Sequence, residues 1–410
     1  MLFDMDLKRL QARFADLFLV LLALGLFVQL SGKVWLESGS ARNTQVYILM
    51  LLPALLFAVN KVCSRERILP SISYLPWLGF IAWVALSAFW SVDSDSSALS
   101  LAKRGIYIAC YLLAIFLLYV RSDMLLLGTL RVGVFVIAIG ALATIIYQFG
   151  FLDKPLAYRA FRLDRLGVGD FANYGWPVAA GIFHGAIAVW ALGFALDRNL
   201  SFKASLFWLV VFFVLVAYVL LTYTRGAWIA LVIASVVSII MHHTRRGWLF
   251  MAGGGVLSLG FVISFWSQII FEFSERRLSG RGAIWDYFLH VMNGHWVVGH
   301  GLGTPFRYEW PNGWAVSPHA HSLYLQQIYD SGLVGLSLLM IGVALLSYSA
   351  WKHREHYWVK LAYPALIFAL FAMLTDVERI FTRPGDYWTV FWLPVALLLA
   401  IQAHKVSGAK

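Results

Sequence analysis

Long apolar segments recur along almost the whole chain, each close to the length that a helix needs to cross a bilayer. A spanning helix takes roughly 20 mostly apolar residues. The chain is 61% hydrophobic and 13% charged, whereas soluble domains carry about 25% charged residues. We therefore predict an all-α polytopic membrane protein with about twelve transmembrane helices. They lie near residues 14–31, 45–60, 74–90, 104–120, 124–149, 177–196, 205–222, 226–242, 247–267, 319–349, 359–375 and 387–403.

Composition excludes several other classes of protein. Cys63 and Cys110 fall at the end of one predicted span and inside another, so no disulfide framework is implied. No Cys/His spacing typical of zinc sites occurs. The first apolar run is long enough to span, which favours a retained helix over a cleaved signal. The net charge of +11 is expected to reflect topology and anionic membrane lipid, not a nucleic-acid partner.

Basic residues give the predicted spans an orientation. With the N-terminus in the cytoplasm, the alternate short loops and the tail on that side are basic, as the positive-inside rule requires. An even number of spans returns the C-terminus to the cytoplasm, and we expect the bacterial inner membrane. The basic residues predicted to be cytoplasmic are Lys8, Arg9, Arg13, Lys61, Arg65, Arg67, Arg198, Lys203, Arg245, Arg246, Lys352, Arg354, Lys360, Lys405 and Lys410.

The outer loops carry arginine instead of lysine. They comprise residues 151–176, the longest loop at 268–318, and a segment from Asp376 to Asp386. Arginine binds phosphate oxygens through a planar fork and keeps its charge, which favours an anionic ligand such as pyrophosphate on the outer face. Salt bridging and contact with lipid headgroups remain the alternative. The outer arginines are Arg159, Arg162, Arg165, Arg225, Arg276, Arg277, Arg281, Arg307, Arg379 and Arg383.

Two histidines precede a long apolar segment within the motif Ser317-Pro318-His319-Ala320-His321-Ser322. Ser317 suits a helix N-cap and Pro318 the first helical position, which would place both histidines in the first turn. Residues two apart do not share a helix face, so only one should point into a site. The helix dipole disfavours imidazolium there, and a neutral imidazole can serve as a general base. A merely hydrogen-bonded interfacial histidine is the alternative.

A tight turn between two predicted spans carries Arg225 at or just below the membrane surface. A charge there is costly unless it is paired or faces a polar cavity. Gly226 allows close backbone approach. Lining a cavity and snorkelling to lipid headgroups are both consistent with this position.

Loop 268–318 contains apolar residues at helical spacing after Arg281, which predicts a short amphipathic helix on the membrane. Arg281 and Trp285 are four apart and share its face. The glycine-rich stretch 299–303 has no strand before it and no helical pattern after it, so a dinucleotide-binding loop is rejected.

Acidic residues occur in two outer segments. Asp93 and Asp95 could hold a divalent metal, but neighbouring serines make helix capping the preferred interpretation, and we predict no catalytic metal. The mixed charges at 376–386 are expected to pair with one another, and a carboxylate there could orient the histidine base.

These segments, in this order, resemble the O-antigen ligase/polymerase superfamily of membrane glycan transferases. The sequence at 89–93 resembles its Trp-Ser-x-Asp signature, and the sequence at 224–228 its Ser/Thr-Arg-Gly-Ala-Trp turn. Arg281 with Trp285 is similar to the Arg-x-x-x-Trp of its large periplasmic loop.

The segment after the histidines is similar to the ligase signature of this superfamily. His321-Ser322 is followed by nine residues, Gly332 and then Gly335, as in His-(Asn/Ser/Gln)-x9-Gly-x-x-(Gly/Tyr/Thr). The order around Asn173 departs from the Pro-Asn that many members carry before a helix, which leaves the role of Asn173 open.

The resemblance implies a GT-C-like helical fold and glycan transfer from undecaprenyl pyrophosphate to lipid A-core, without cofactor, metal or nucleotide sugar. It implies His321 as general base and Arg225 and Arg281 as the groups that stabilise the leaving pyrophosphate. Transfer opposite the leaving group would invert the anomeric centre. Further substrate contacts are assigned to His319, Arg159, Arg162, Arg165, Arg379 and Arg383.

Other functions stay open at this point. An O-antigen polymerase or a protein O-oligosaccharyltransferase would use the same donor chemistry, but the short tail after the last span favours a ligase. A transporter or flippase of an anionic lipid-linked substrate would also explain the arginines, yet no internal repeat is found. Arg131 and His184 are the evident ionisable residues within spans. We expect one transmembrane domain over residues 1–410, with 268–318 as its large periplasmic loop, acting as a monomer.

Overall fold

The structure is a computed structural model of the chain. It describes residues 2–65, 71–274, 280–311, 313 and 315–408. Some of the basic residues considered above therefore lie outside the described residues: Arg67, Arg276, Arg277 and Lys410.

Helices account for 74% of the structure, so the all-α polytopic class is confirmed. Within the described residues, 9 helical segments are long and apolar enough to cross a membrane. The shorter apolar helices Tyr357–Ala372 and Trp388–His404 match the last two predicted spans. A helix also covers most of the predicted span at 247–267. The number of about twelve crossings stays a prediction.

Short connections join many of the helices, and long segments separate others. The first eight are α1 (Leu2–Trp35), α2 (Gly39–Val46), α3 (Leu52–Cys63), α4 (Leu75–Ser87), α5 (Ala98–Arg121), α6 (Asp123–Ile145), α7 (Pro177–Ala195) and α8 (Phe202–Leu221). The others are α9 (Arg225–His242), α10 (Arg245–Ser264), α11 (Trp266–Ser274), α12 (Arg281–Val291), α13 (Leu323–Lys352), α14 (Tyr357–Ala372) and α15 (Leu393–Gly408). The long segments separate α6 from α7, α12 from α13, and α14 from α15. A small antiparallel hairpin pairs β1 (Tyr308–Glu309) with β2 (Val316–Ser317).

Single turns extend several of these helices. π-helical turns at Tyr47–Leu51, Ile146–Phe151 and Trp388–Trp392 join α2 to α3, continue α6 and precede α15. Short 3₁₀ turns occupy Ile72–Tyr74 and Ala88–Trp90 on either side of α4. These turns make up the length that a bilayer crossing requires, because α3 and α4 alone are too short.

Helix α7 forms the centre of the bundle and packs against α8, α9 and α14. Its small residues permit close approach: a Cβ at Gly181 would lie 2.6 Å from Thr222 Oγ1. His184 is buried in this core, with Nδ1 2.8 Å from the Ala180 carbonyl oxygen and its ring 3.8 Å from the Tyr218 ring centroid. A histidine stacked and satisfied in this way is a packing residue, which weighs against a transport pathway through it.

Helix α13 is broken at Gly332, whose φ of 69° lies in the left-handed region. The break frees backbone amides, and the outer loop supplies their partners: Leu333 N donates to the Trp296 carbonyl at 2.8 Å. His300 N in turn donates to the Tyr329 carbonyl at 2.7 Å. A Cβ at Gly332 would overlap the Val297 carbonyl. The large outer loop is thereby joined backbone to backbone with α13.

The segment between α14 and α15 is anchored at both ends. Asp386 accepts hydrogen bonds from Lys33 Nζ at 2.5 Å and from Arg42 Nη1 at 3.1 Å. At the other end, Leu323 N donates to the Met373 carbonyl at 3.0 Å. The charged residues of this segment therefore pair with one another only in part. Arg379 pairs with Glu378 inside the segment, whereas Asp386 pairs with residues outside it. The anchoring places Asp376 beside the start of α13.

Candidate active site

The turn between α8 and α9 places Arg225 at the first residue of α9. The chain reverses through Thr222, Tyr223 and Thr224, and Tyr223 takes a φ of 51°. Gly226 allows this turn to touch the segment after α14, since a Cβ there would lie 2.5 Å from Thr375 Oγ1. The predicted tight turn is present, and it sets Arg225 next to the residues that precede Asp376.

Helix α12 begins at Arg281, immediately after Gly280 at a φ of 83°. Its buried residues Ile284 and Phe288 pack in one cluster with Ile328 of α13. The predicted amphipathic helix therefore exists, and its buried face contacts protein. Trp285 Nε1, one turn after Arg281, donates to the Ala320 carbonyl at 3.0 Å.

The two histidines do not lie in a helix. The prediction that places both of them in the first turn of a helix is therefore wrong. Helix α13 begins only at Leu323 with Ser322 as N-cap, and Ser317 belongs to β2. The rings of His319 and His321 are adjacent, with centroids 4.1 Å apart. Of the two, His321 lines one of the cavities described below and His319 lines neither, so the expectation that only one of them points into a site stays a prediction.

Side chains from other segments fix this histidine-bearing stretch. The buried Ala320 donates its amide to Gln326 Oε1 at 3.0 Å and accepts from Trp285 on its other side. Gln326 Nε2 donates to Asp330 Oδ1 at 3.0 Å. His321 takes a φ of 50°, a left-handed conformation that costs energy in a non-glycine residue. The peptide between the histidines is thus held from both faces.

Asp376 links Arg281 to His321. Arg281 Nη2 donates to Asp376 Oδ2 at 3.2 Å, and Asp376 Oδ1 lies 3.7 Å from His321 Nδ1. The second distance exceeds that of a direct hydrogen bond. Val377 N also donates to Asp376 Oδ1, at 2.9 Å. An arginine, a carboxylate and an imidazole are therefore consecutive neighbours.

The surroundings set the charge of these groups. Burial raises the pKa of Asp376, but His321, the Val377 amide and Arg281 outweigh it, and its pKa is lowered overall. Burial lowers the pKa of His319 to about 4, and the nearby His321 contributes to that shift. At neutral pH the site therefore combines an ionised carboxylate with a neutral His319.

Potential metal ligands also meet here. Within the described residues, His319, His321 and Asp376 offer ligand atoms that all lie within 4.8 Å of one another, so they could hold an ion. Arg281 donates to the same carboxylate, which places a positive charge where it would repel a cation. That the reaction uses no metal stays a prediction.

Asp93 and Asp95 are exposed on the loop before α5, whose N-cap is Ser97.

A cavity of about 740 Å³ opens beside these groups. Its polar end is lined by Arg159, Arg162, Arg225, Arg281 and Asp376. The rest of its wall is mostly apolar and comes from several helices. These apolar residues include Val178, Ile182, Leu220, Ile229, Val262, Phe265 and Ile269. The structure thus brings together four predicted arginines from three separate chain segments.

The other predicted substrate residues lie elsewhere. Arg165 is exposed and pairs with Asp164 at 2.8 Å. Arg379 is committed to Asp330, with Nε 2.5 Å from Oδ2 and Nη2 3.0 Å from Oδ1. Arg383 is exposed and does not line the cavity.

Arg162 does reach the cavity, and its Nε also donates to the Thr222 carbonyl at 2.8 Å, which holds its loop on the α8–α9 turn.

Sequence reasoning missed the polar residues of α13. Gln326 and Asp330 are buried within a predicted span, and an ionisable residue inside a span is by default a candidate for function. The sequence carries this signal at Asp330 as it does at Arg131 and His184. Arg131 instead lies 3.8 Å from Asp197, just beyond the end of α7.

Comparison with known proteins supports the motif-based resemblance. The family described as "O-Antigen ligase" matches residues 209–340, a range that contains Arg225, Arg281 and His321. An O-antigen ligase of Pseudomonas aeruginosa is 26% identical over 392 residues, which cover 95% of this chain and 92% of that protein. The resemblance to the O-antigen ligase family is confirmed.

Proposed function

From an O-antigen ligase family domain at residues 209–340, we propose that this protein transfers O-antigen from undecaprenyl pyrophosphate to a hydroxyl of lipid A-core. One observation carries the proposal: the arginine-lined end of a large apolar cavity meets Asp376, which faces His321. Such a cavity suits a ligand with a long hydrocarbon chain and an anionic head.

The donor occupies the 740 Å³ cavity. Its polyprenyl chain lies along the apolar wall formed by α7, α8, α9, α10 and α11. Its pyrophosphate lies at the end where Arg225 and Arg281 meet, since guanidinium groups bind phosphate oxygens through paired hydrogen bonds. Arg159 and Arg162 contribute further charge from the neighbouring loop.

Transfer exchanges one carbon–oxygen bond for another. The acceptor hydroxyl oxygen attacks the anomeric carbon of the O-antigen, and its proton passes to His321. The bond between that carbon and the pyrophosphate oxygen breaks, and its electron pair leaves with undecaprenyl pyrophosphate. Arg225 and Arg281 stabilise the charge that grows on this leaving group. Attack opposite the leaving group inverts the anomeric centre.

Asp376 supports both halves of the reaction. Its carboxylate stabilises the imidazolium that forms on His321 and holds Arg281 in place. Fixed arginines supply charge stabilisation of the kind that a divalent metal provides in other transferases. The proposed reaction therefore runs without a metal or another cofactor.

We propose that the site faces the periplasm and that both termini lie on the cytoplasmic side of the inner membrane, because the positive-inside rule assigns the basic loops to the cytoplasm. Residues 1–410 then form one transmembrane domain, with 268–318 as its large periplasmic loop. Membrane lipid surrounds this domain, and the arrangement of one complete cavity in one chain suits a monomer. A GT-C-like architecture accords with a polar site at the membrane boundary.

Other acceptors define the second candidate functions. A polymerase would deliver the glycan to a further lipid-linked unit, and a protein O-oligosaccharyltransferase to a Ser or Thr of a protein. The donor cavity would be the same for both. A flippase for an anionic lipid has less support, because Arg131 lies 3.8 Å from Asp197 and His184 is a packing residue.

The test is complementation of a bacterial strain that lacks its own ligase, read as the O-antigen ladder on lipid A-core. Wild type should restore the ladder and His321→Ala should not, at equal membrane expression. His290→Ala is the matched control, because His290 is an exposed histidine of α12. Absence of a ladder with wild type would reject the ligase assignment, and full activity of His321→Ala would reject the base.

A further inference from the structure

A second, smaller cavity adjoins the donor cavity. It measures about 210 Å³ and lies between the start of α12 and the β1–β2 hairpin. Its wall includes Arg281, Trp310, Val316, Ser317, Pro318 and His321.

The site residues separate the two cavities. Arg281 lines both of them, whereas Asp376 lines only the larger and His321 only the smaller. Asp376 lies 3.2 Å from Arg281 and 3.7 Å from His321. A molecule in the small cavity therefore meets the His321 ring on one side of this partition, and a pyrophosphate in the large cavity meets Arg225 and Arg281 on the other.

The lining of the small cavity is amphipathic. Trp310, Val316 and Pro318 present apolar surface, and Arg281, Ser317 and His321 present polar groups. A sugar ring has the complementary character, with C–H faces that stack on aromatic rings and hydroxyls that form hydrogen bonds at its edge. The volume of about 210 Å³ is below the ~300–1,000 Å³ typical of drug-sized ligands, which suits one sugar unit.

Trp310 is held in position by its surroundings. Its backbone amide donates to the Ala315 carbonyl at 3.1 Å, which closes the hairpin. Its ring packs edge to face with Tyr308 at a centroid distance of 5.2 Å. Gly280 makes room for the indole, since a Cβ there would collide with it. A fixed aromatic surface of this kind is already organised for stacking before a ligand arrives.

We propose that the small cavity binds the terminal sugar of the acceptor, stacked on Trp310, with its hydroxyl directed at His321. This inference rests on the proposed ligase function and adds the acceptor subsite to it. Donor and acceptor then approach the partition from opposite sides, which is the arrangement that in-line displacement at the anomeric carbon requires.

The test uses purified full-length protein in nanodiscs, with lipid-linked O-antigen and lipid A-core as substrates. Initial ligation rates are measured against acceptor concentration at saturating donor, and against donor concentration at saturating acceptor. Trp310→Ala should raise the acceptor KM about tenfold or more and leave the donor KM unchanged. Trp310→Phe, which keeps an aromatic face, should recover most of the acceptor affinity.

A second variant fills the cavity without removing the indole. Val316 lines the cavity and is 46% exposed, so Val316→Trp should be accommodated by the fold and block the acceptor sugar. Trp176→Ala is the control, because Trp176 is 77% exposed and lines neither cavity. Size-exclusion profiles establish that each variant is folded.

The outcomes separate this inference from the function on which it rests. An inactive wild type overturns both. An active wild type with unchanged acceptor KM in Trp310→Ala and Val316→Trp overturns the acceptor subsite alone. A rise in the donor KM of these variants, with the acceptor KM unchanged, would assign the small cavity to the donor and overturn the proposal as well.

Discussion

Arg281 Nη2 lies 3.2 Å from Asp376 Oδ2, although the two residues are 95 positions apart in the sequence. The other oxygen of this carboxylate faces His321. A single acidic residue therefore touches the group proposed to stabilise the leaving pyrophosphate and faces the group proposed to accept the proton.

We expect Asp376→Asn to lower kcat by roughly 10²-fold, because the amide keeps the hydrogen bond from Val377 but no longer stabilises imidazolium. The measurement is the ligation rate at saturating substrates. Asp95→Asn, at an exposed acid of another outer loop, should leave the rate unchanged. Equal rates for Asp376→Asn and wild type would remove the carboxylate from the mechanism.

Replacing Arg225 or Arg281 by lysine keeps the charge but removes the planar fork. We expect each change to lower kcat by roughly 10²-fold, the loss typical of one stabilising donor in a transition state. Arg307→Lys is the control, since Arg307 has a side chain that is 71% exposed and pairs with Glu309. Retention of full activity by both lysine variants would show that charge alone suffices.

Gln326 positions the histidine-bearing stretch through the Ala320 amide. Gln326→Leu leaves that buried amide unpaired, at a cost of about 1–3 kcal/mol, and should displace His321. A displacement of this kind can lower kcat by about 10²-fold. Gln327→Leu is a matched control on the same helix, because Gln327 contacts Ser331 and not the histidines. Equal effects of the two changes would indicate general damage to α13.

Arg379 and Asp330 form a buried ion pair, so loss of one partner should act on stability. We expect Arg379→Met to destabilise the protein by about 3–5 kcal/mol, because it leaves the buried Asp330 carboxylate without its cationic partner. Adding Asp330→Leu should recover most of that loss. Thermal unfolding in detergent measures both. A stable Arg379→Met variant with a raised donor KM would instead support the substrate contact that the sequence predicted for Arg379.

His319 makes the stability dependent on pH. Its folded pKa is about 4, below the ordinary value of about 6.5. As pH falls between these values, the unfolded chain gains a proton that the folded chain does not, so stability decreases. The slope for one such group is at most about 1.4 kcal/mol per pH unit. His319→Gln should flatten this part of a plot of unfolding temperature against pH. An identical slope in wild type and variant would contradict the shift.

Much of the fold could be predicted from the sequence, because lipid imposes a simple rule on length and polarity. The apolar segments at 104–120 and 177–196 coincide with helices in the structure. The break at Gly332 could not be predicted, since an isolated glycine within an apolar run fits a continuous helix equally well.

The candidate site could be predicted only in part. The sequence indicates the arginines that line the cavity, but neither the role of Gln326 nor the geometry. Arg225 and Arg281 can be identified as candidates from the sequence, because arginines in predicted outer loops contradict the positive-inside rule. The helical position predicted for the histidines is wrong because Ser-Pro is a common helix start. In the structure, contacts from Gln326 and Trp285 hold them in an irregular stretch. The pairing of Arg281 with Asp376 depends on the anchoring of a distant segment, which local patterns do not contain.

The hydrogen bonds across the break in α13 set the boundaries for exchanging parts between related proteins. Trp296 and His300 of the outer loop bond to Leu333 and Tyr329 on either side of Gly332. If the loop alone were transferred, it would face the α13 of another protein, in which the unpaired amides and carbonyls at the break match the loop of that protein. A workable chimera must therefore carry the loop together with the first part of α13, through Val334, whose amide also donates to the Val297 carbonyl of the loop.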